Sequence, residues 1–146
     1  MSEARFGIAF GAVGIAADCL QVALDYSTNR EQFGKPIAGF QLTQAKIADM
    51  MTDLTNAQLQ AYRLAQLKDT GMIQPVHISM AKRHNVRIAL NAARSARTIL
   101  GANGVSTEYS PIRHMMNLES VLTYEGTEEI HTLVLGQSAT HLPAFR

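Results

Sequence analysis

An all-α, antiparallel up-and-down helical bundle is the fold this sequence predicts, and three observations predict it. Of its 146 residues, 47% are hydrophobic, enough for one domain spanning 1–146 with a core of its own. There are only four prolines and no tryptophan. Glycine and proline gather at a few breaks, and the long stretches between them carry apolar residues at helical rather than alternating spacing. No internal repeat, low-complexity tract or strand pattern stands out.

The elements follow in order. The first helix, about Glu3 to Thr28, has Phe6, Phe10, Val13, Ala17, Leu20 and Leu24 on one stripe. Ile8, Ile15 and Val22 lie off it, so this helix should be central in its bundle or buried between subunits. Asn29 to Gly39 is a break, because Gly34 and Pro36 stop the helix and Gly39 precedes the next. The second helix, about Phe40 to Lys68, has Leu42, Ile47, Met50, Leu54, Ala57, Ala61 and Leu64 as its inner face. A third starts at Pro75, a residue suited to a first turn, and runs to about Leu100. The turn Gly101-Ala102-Asn103-Gly104 ends it. Ser110-Pro111 opens a fourth helix by the cap-plus-proline pattern, reaching about Leu122. Tyr124 to Gly126 is a loop, the fifth helix ends near Gly136 or a few residues later, and His141 to Arg146 is a tail.

Composition excludes several classes. A net charge of +1 argues against a general nucleic-acid binder. Met1 to Arg5 is polar and charged, unlike a secretory signal, and no apolar run of bilayer-spanning length is evident. A soluble protein without membrane insertion is therefore expected. The single cysteine, Cys19, can form no internal disulfide and is expected to be buried packing in a reducing compartment.

Within Thr123-Tyr124-Glu125-Gly126-Thr127, a carboxylate stands just outside the start of the last helix, with Thr127 placed to cap it. The helix terminus favours the carboxylate form, so a base there needs desolvation by an apolar substrate to accept a proton. The same residues also fit a plain acidic helix start. Glu128 and His131 have the Glu-x-x-His spacing of di-iron bundles, but one such motif does not make that site, and no metal is expected. Between Asp69 and Glu108, Lys82, Arg83, Arg87, Arg94 and Arg97 accumulate without an acidic residue. The last four fall within roughly 80° of one another on a helix. They form either a face paired with acids elsewhere or a phosphate contact. Arg30 and Phe33, in the first break, could clamp a phosphate and cover a ring, or cap a helix and anchor a loop.

Taken together, several stretches resemble the acyl-CoA dehydrogenase family: Arg5-Phe6-Gly7-Ile8-Ala9, Asn29-Arg30-Glu31-Gln32-Phe33-Gly34-Lys35-Pro36, Phe40-Gln41, Leu100-Gly101-Ala102-Asn103-Gly104 and Tyr124-Glu125-Gly126-Thr127. The match covers nearly the whole chain and only the family's C-terminal helical domain. Ile112 to Glu119 and Glu129-Ile130-His131 look most like its glutaryl-CoA branch. The resemblance implies an oxidoreductase of amino-acid catabolism that uses FAD. Glu125 would be the base that takes the α-proton of an acyl-CoA, here glutaryl-CoA, while the β-hydride goes to the flavin and decarboxylation gives crotonyl-CoA. It implies that Arg30, Phe33 and Gln41 reach the FAD of an adjacent subunit, that the turn at Gly101 approaches the dinucleotide, and that Thr127 and Glu129 lie near the flavin of their own subunit. Arg5, Tyr124 and Gly126 would adjoin the substrate. Sister subunits in a homodimer or homotetramer, electron-transfer flavoprotein as acceptor, and a cytoplasmic (bacterial) or mitochondrial-matrix (eukaryotic) location are implied too.

Three positions depart from the family pattern. Ala102 replaces a glycine, and Thr98 and Glu129 stand where many relatives have glutamine, so the charge of Glu129 must be paired or turned away from a dinucleotide. Because Met1 directly precedes the first bundle helix, the chain is expected to be an expressed domain or a truncated reading frame. It should fold, yet neither hold FAD tightly nor turn over substrate alone. The alternative is a structural or regulatory bundle that kept the fold without catalysis.

Overall fold

Helix α1 (Ser2–Asn29) lies in a computed structural model that describes residues 2–145. Met1 and Arg146, the last residue of the expected tail, lie outside the described residues. Helices α2 (Gln41–Asp69), α3 (Pro75–Ile99), α4 (Ser110–Thr123) and α5 (Glu128–Thr140) follow, so the five helices come in the expected order, with boundaries within a residue or two of those read from glycine and proline. Helix α3 touches all four others and is the hub of the fold.

The buried face of α1 is not the stripe of large side chains expected. Ala9, Ala12, Ala16, Cys19, Leu20, Ala23 and Ser27 are buried, whereas Phe6, Phe10, Val13 and Leu24 only partly cover the core. Small residues let α1 approach the alanine face of α3 (Ala81, Ala89, Ala92, Ala93, Ala96) closely, and close packing outweighs the area that larger side chains would bury. Asn85 of α3, fully buried, donates from Nδ2 to the Ala9 carbonyl at 3.0 Å and ties the pair together. Cys19 is buried as expected, and burial pushes its thiol up to about 12. Contrary to the expectation drawn from apolar runs, α1 is long and apolar enough to cross a membrane by length and composition. Isoleucine, valine, phenylalanine and leucine with the alanines carry that apolarity, and here one face of the helix packs on α3.

Three local features differ from the reading of the sequence. The break after α1 contains a two-residue hairpin, β1 (Glu31–Gln32) paired antiparallel with β2 (Lys35–Pro36). Its turn residues Phe33 and Gly34 have φ of 54° and 79°, a primed turn that the unusual phenylalanine conceals. In α4 the cap is Tyr109, without a side-chain bond, and the hydroxyl of Ser110 donates instead to Asp18 of α1. On α2, Leu42 is 78% exposed rather than part of the inner face, while Met50, Ala57, Ala61 and Leu64 are buried.

Candidate active site

Helix α5 starts where the sequence places it, with the Thr127 side chain accepting from the Ile130 amide at 3.4 Å. Immediately before it, Glu125 and Gly126 have φ of 55° and 92°. A left-handed glutamate is uncommon and costs free energy, so something must hold it. Arg5, on the first turns of α1, donates from Nε to the Glu125 carbonyl at 2.8 Å, and the same nitrogen lies 3.7 Å from carboxylate Oε2. That Oε2 is out of solvent and accepts no hydrogen bond. A carboxylate oxygen removed from water without a hydrogen-bond donor is costly by about 1–3 kcal/mol, and the Arg5 charge 3.7 Å away offsets part of that cost.

Below the loop lie two buried groups that sequence reasoning missed in this role. The Lys82 ammonium, on a residue 2% exposed, donates to the carbonyls of Val121 at 3.1 Å, Tyr124 at 2.7 Å and Gly126 at 2.6 Å. Burial, with the nearby Arg5 charge, holds it below the usual lysine range, and Glu125 pulls the other way. His131, 1% exposed, has its ring against the Gly126 Cα, where an added Cβ would meet Nε2 at 3.1 Å. Neither ring nitrogen makes a hydrogen bond of good geometry. Burial, then the charges of Lys82 and Arg5, push the imidazole below the usual histidine range and outweigh the facing carbonyls of Glu125 and Gly126. The signal for Lys82 was phase: it sits about 100° off the arginine stripe, on the face of Ile78, Asn85 and Ala89.

Two of the four arginines, Arg87 and Arg94, pair with acids as one reading anticipated, while Arg83 and Arg97 bond threonine hydroxyls. Arg87 pairs with Glu128, Arg94 with Glu119 at 2.6 Å, and Arg83 donates to the Thr132 hydroxyl at 2.7 Å. With Glu128 so engaged and His131 buried, the Glu-x-x-His motif is dispersed. Among the described residues no group of three or more His, Cys, Asp or Glu could hold a metal ion.

The structure thus brings Arg5, Tyr124, Glu125, Gly126 and Thr127 together, with Glu129 one turn along and exposed. The Thr127 hydroxyl, followed by the backbone of Glu129 itself, holds the Glu129 carboxyl below the usual carboxylate range, so its charge is locally satisfied. Arg30, Phe33, Gln41 and Gly101 lie at the other end of α1, roughly 36 Å away at about 1.5 Å per residue. There Arg30 and Asn103 line a cleft of about 560 Å³ with Tyr26 and Tyr109. Arg30, Gly101 and Ala102 line a neighbouring cleft of about 330 Å³. The Phe33 ring, 93% exposed, borders a third with Phe40 and Thr98, while Gln41 is exposed on the first turn of α2 and lines none of these.

These residues fit a dinucleotide. No ion pair engages Arg30 among the described residues, an exposed aromatic face stands near it, and Gly101 with φ of 60° turns backbone past the cleft. Gly104 is the glycine that packing demands, since a Cβ there would meet the Arg97 carbonyl oxygen at 2.1 Å. Ala102, by contrast, is exposed.

The family model described as "Acyl-CoA dehydrogenase, C-terminal domain" matches residues 1–140. Crystal structures of glutaryl-CoA dehydrogenase from Mycobacterium smegmatis superpose closely: one gives TM-score 0.98 at 55% identity, covering 99% of this chain and 38% of that one. A second, in complex with FADH2, gives 0.97 at 50% identity, covering 99% and 37%. The short-chain-specific acyl-CoA dehydrogenase of Megasphaera elsdenii is 38% identical over 132 residues, covering 90% of this chain and 34% of that protein. The chain spans about a third of the length of these relatives. From Arg5 to Thr127 the motifs, the helices that carry them and these comparisons agree, and the chain belongs to the acyl-CoA dehydrogenase family, matching its C-terminal domain.

Proposed function

We propose that this chain supplies the catalytic base and part of the subunit interface of a FAD-dependent acyl-CoA dehydrogenase acting on glutaryl-CoA. The observation that carries the reading is the Glu125 carboxylate: Oε2 is buried without a hydrogen-bond donor, 3.7 Å from the Arg5 guanidinium, on a left-handed turn.

The α-C–H of a thioester is weakly acidic, and a carboxylate held beside it can take that proton. A bound flavin supplies the acceptor for the β-hydride. Water expelled by the acyl chain strengthens Glu125 as a proton acceptor, offsetting the helix terminus behind Thr127. Arg5 orients the glutamate through its carbonyl, and Tyr124, 51% exposed, with Gly126 borders the space the thioester would fill. Loss of the γ-carboxylate as carbon dioxide then leaves a dienolate, and return of the proton held on Glu125 to its γ-carbon gives crotonyl-CoA. Arg30, Phe33, Gln41 and Gly101 would hold the cofactor from one side, and Thr127 and Glu129 would lie near a second copy of it.

Glutaryl-CoA is favoured over a short-chain acyl-CoA by the identity of 55% to the Mycobacterium smegmatis enzyme. The exposed Leu42, Met51, Leu59 and Tyr62 of α2 support association with sister subunits in a dimer or tetramer. Electron-transfer flavoprotein is proposed as the final acceptor, and a reducing cytoplasm or mitochondrial matrix as the location. Because its FAD-matching residues stand open at the surface, the chain alone is proposed neither to hold FAD tightly nor to turn over.

The test joins this chain to the remainder of an acyl-CoA dehydrogenase of the family, loads the whole with FAD, and supplies this FAD-loaded protein with glutaryl-CoA and with butyryl-CoA. Crotonyl-CoA and carbon dioxide from glutaryl-CoA are expected. Oxidation of butyryl-CoA alone would assign a short-chain enzyme, and no oxidation with flavin bound would leave a non-catalytic bundle.

A further inference from the structure

Three consecutive carbonyls surround Glu125, and a side chain from another helix holds each of them. Lys82 takes those of Tyr124 at 2.7 Å and Gly126 at 2.6 Å, and Arg5 takes that of Glu125 at 2.8 Å. The orientation of these peptide planes sets the backbone angles at Glu125, whose φ is 55°. Main-chain bonds do not hold these planes, since the last one before the turn is Tyr124 N–H to the Ser120 carbonyl, and the next is His131 N–H to the Thr127 carbonyl. Lys82 also reaches Val121, so one ammonium closes the carboxyl end of α4, where a cation complements the helix dipole, and fixes the turn beyond it.

We propose that Lys82 is the positioning residue of the active-site loop: its buried ammonium clamps the carbonyls on both sides of Glu125 and so holds that residue in its left-handed backbone conformation, with carboxylate Oε2 out of solvent. A buried lysine is a poor choice for packing alone, because methionine would fill the same space without desolvating a charge. Here the lysine has three acceptors, one on the last turn of α4 and two on the loop that carries the base. Burial, then the charges of Lys82 and Arg5, push His131 beneath it toward its neutral form. The inference rests on Glu125 being the base, but the clamp itself can be read without turnover.

The experiment uses the chain labelled with 15N and 13C. In the native protein, the Lys82 ammonium should give a slowly exchanging 15N signal with couplings across hydrogen bonds to the carbonyls of Tyr124 and Gly126. Its absence, or exchange as fast as that of the exposed lysines, overturns the clamp even if no variant folds. Replacing Glu125 by Gln should lower the Lys82 titration midpoint, because the glutamate charge favours the ammonium, while Glu129→Gln should leave it in place. Equal effects of the two would overturn the proposal. In Lys82→Met the backbone order parameters of Glu125 and Gly126 should fall from roughly 0.85 to below about 0.6, with Ala89 and Ala93 unchanged. An unchanged loop overturns the proposal. In the FAD-loaded protein, Lys82→Met should lower kcat by roughly 100-fold with KM within about twofold, as expected of a misplaced base. A rise in KM alone would count against it. Should Glu125→Gln leave α-proton abstraction intact, the base assignment fails, and the ammonium signals still judge the clamp.

Discussion

The two ends of α1 carry half-sites of opposite character. At the Arg5 end the close of α4 and the loop from Tyr124 to Gly126 are tied from below by Lys82, from the side by Arg5, and underlain by His131. At the Arg30 end the hairpin presents Phe33 almost wholly to solvent, and Arg30 faces open clefts. On the proposed function, the contrast teaches that a group which must act through its own pose is locked by its own chain. Groups proposed to serve a ligand shared between domains or subunits are displayed and left for others to cover. Mutations at the first end should therefore be felt in stability and chemistry together, and mutations at the second mainly in binding.

The largest stability effect should come from an exception that sharpens this contrast. Beneath the open end Gly104 is buried against backbone that cannot yield, with the Arg97 carbonyl oxygen 2.1 Å from an added Cβ. Gly104→Ala should cost roughly 3 kcal/mol or more by forced displacement of the turn, seen as a lower midpoint in urea unfolding. If it is tolerated, the open end is loose to its base. Gly126→Ala should cost somewhat less, about 2–3 kcal/mol. Its φ of 92° strains an alanine, but the neighbour at 3.1 Å is the His131 ring, which can turn. A neutral outcome would show that the loop is less constrained than its bonds indicate.

A smaller effect concerns pH. His131 is held below the usual histidine range by burial and by Lys82 and Arg5. The unfolded chain therefore takes up a proton near pH 6.5 that the folded chain still refuses, about where free histidine titrates. Stability from this residue is present above that range and is lost as pH falls through the lower folded value. His131→Phe should flatten the acid limb of a plot of Tm against pH, and an unchanged limb would place the pH dependence elsewhere. Smallest of all, Arg30→Ala and Phe33→Ala should change stability by no more than about 0.5 kcal/mol while weakening FAD retention by the FAD-loaded protein. Marked destabilisation by either would erase the difference between the two ends.

Much of this was legible in the sequence, for physical reasons that differ by residue. Proline at Pro75 and the glycines at Gly71 and Gly101 punctuate helices through φ restriction and left-handed caps, so helix limits could be read directly. The Glu125 loop was recognisable because cap, glycine and carboxylate fall within five residues. The alanine face of α1 was not, because hydrophobic periodicity weights large side chains while helix approach rewards small ones. The hairpin hid behind Phe33, a residue with no preference for positive φ. Lys82 was hidden by its charge. Counted with Arg83 and Arg87 it looks like surface, and only its helical phase places it inside.

The claim that the locked end holds a working base is tested most directly by α-proton exchange. The FAD-loaded protein is incubated in D2O with an acyl-CoA that can lose its α-proton but cannot be oxidised, and deuterium incorporation is followed by mass spectrometry. Glu125→Gln should slow incorporation by roughly 10²–10⁴-fold, with bound FAD unchanged. Incorporation at the native rate in Glu125→Gln would contradict the account.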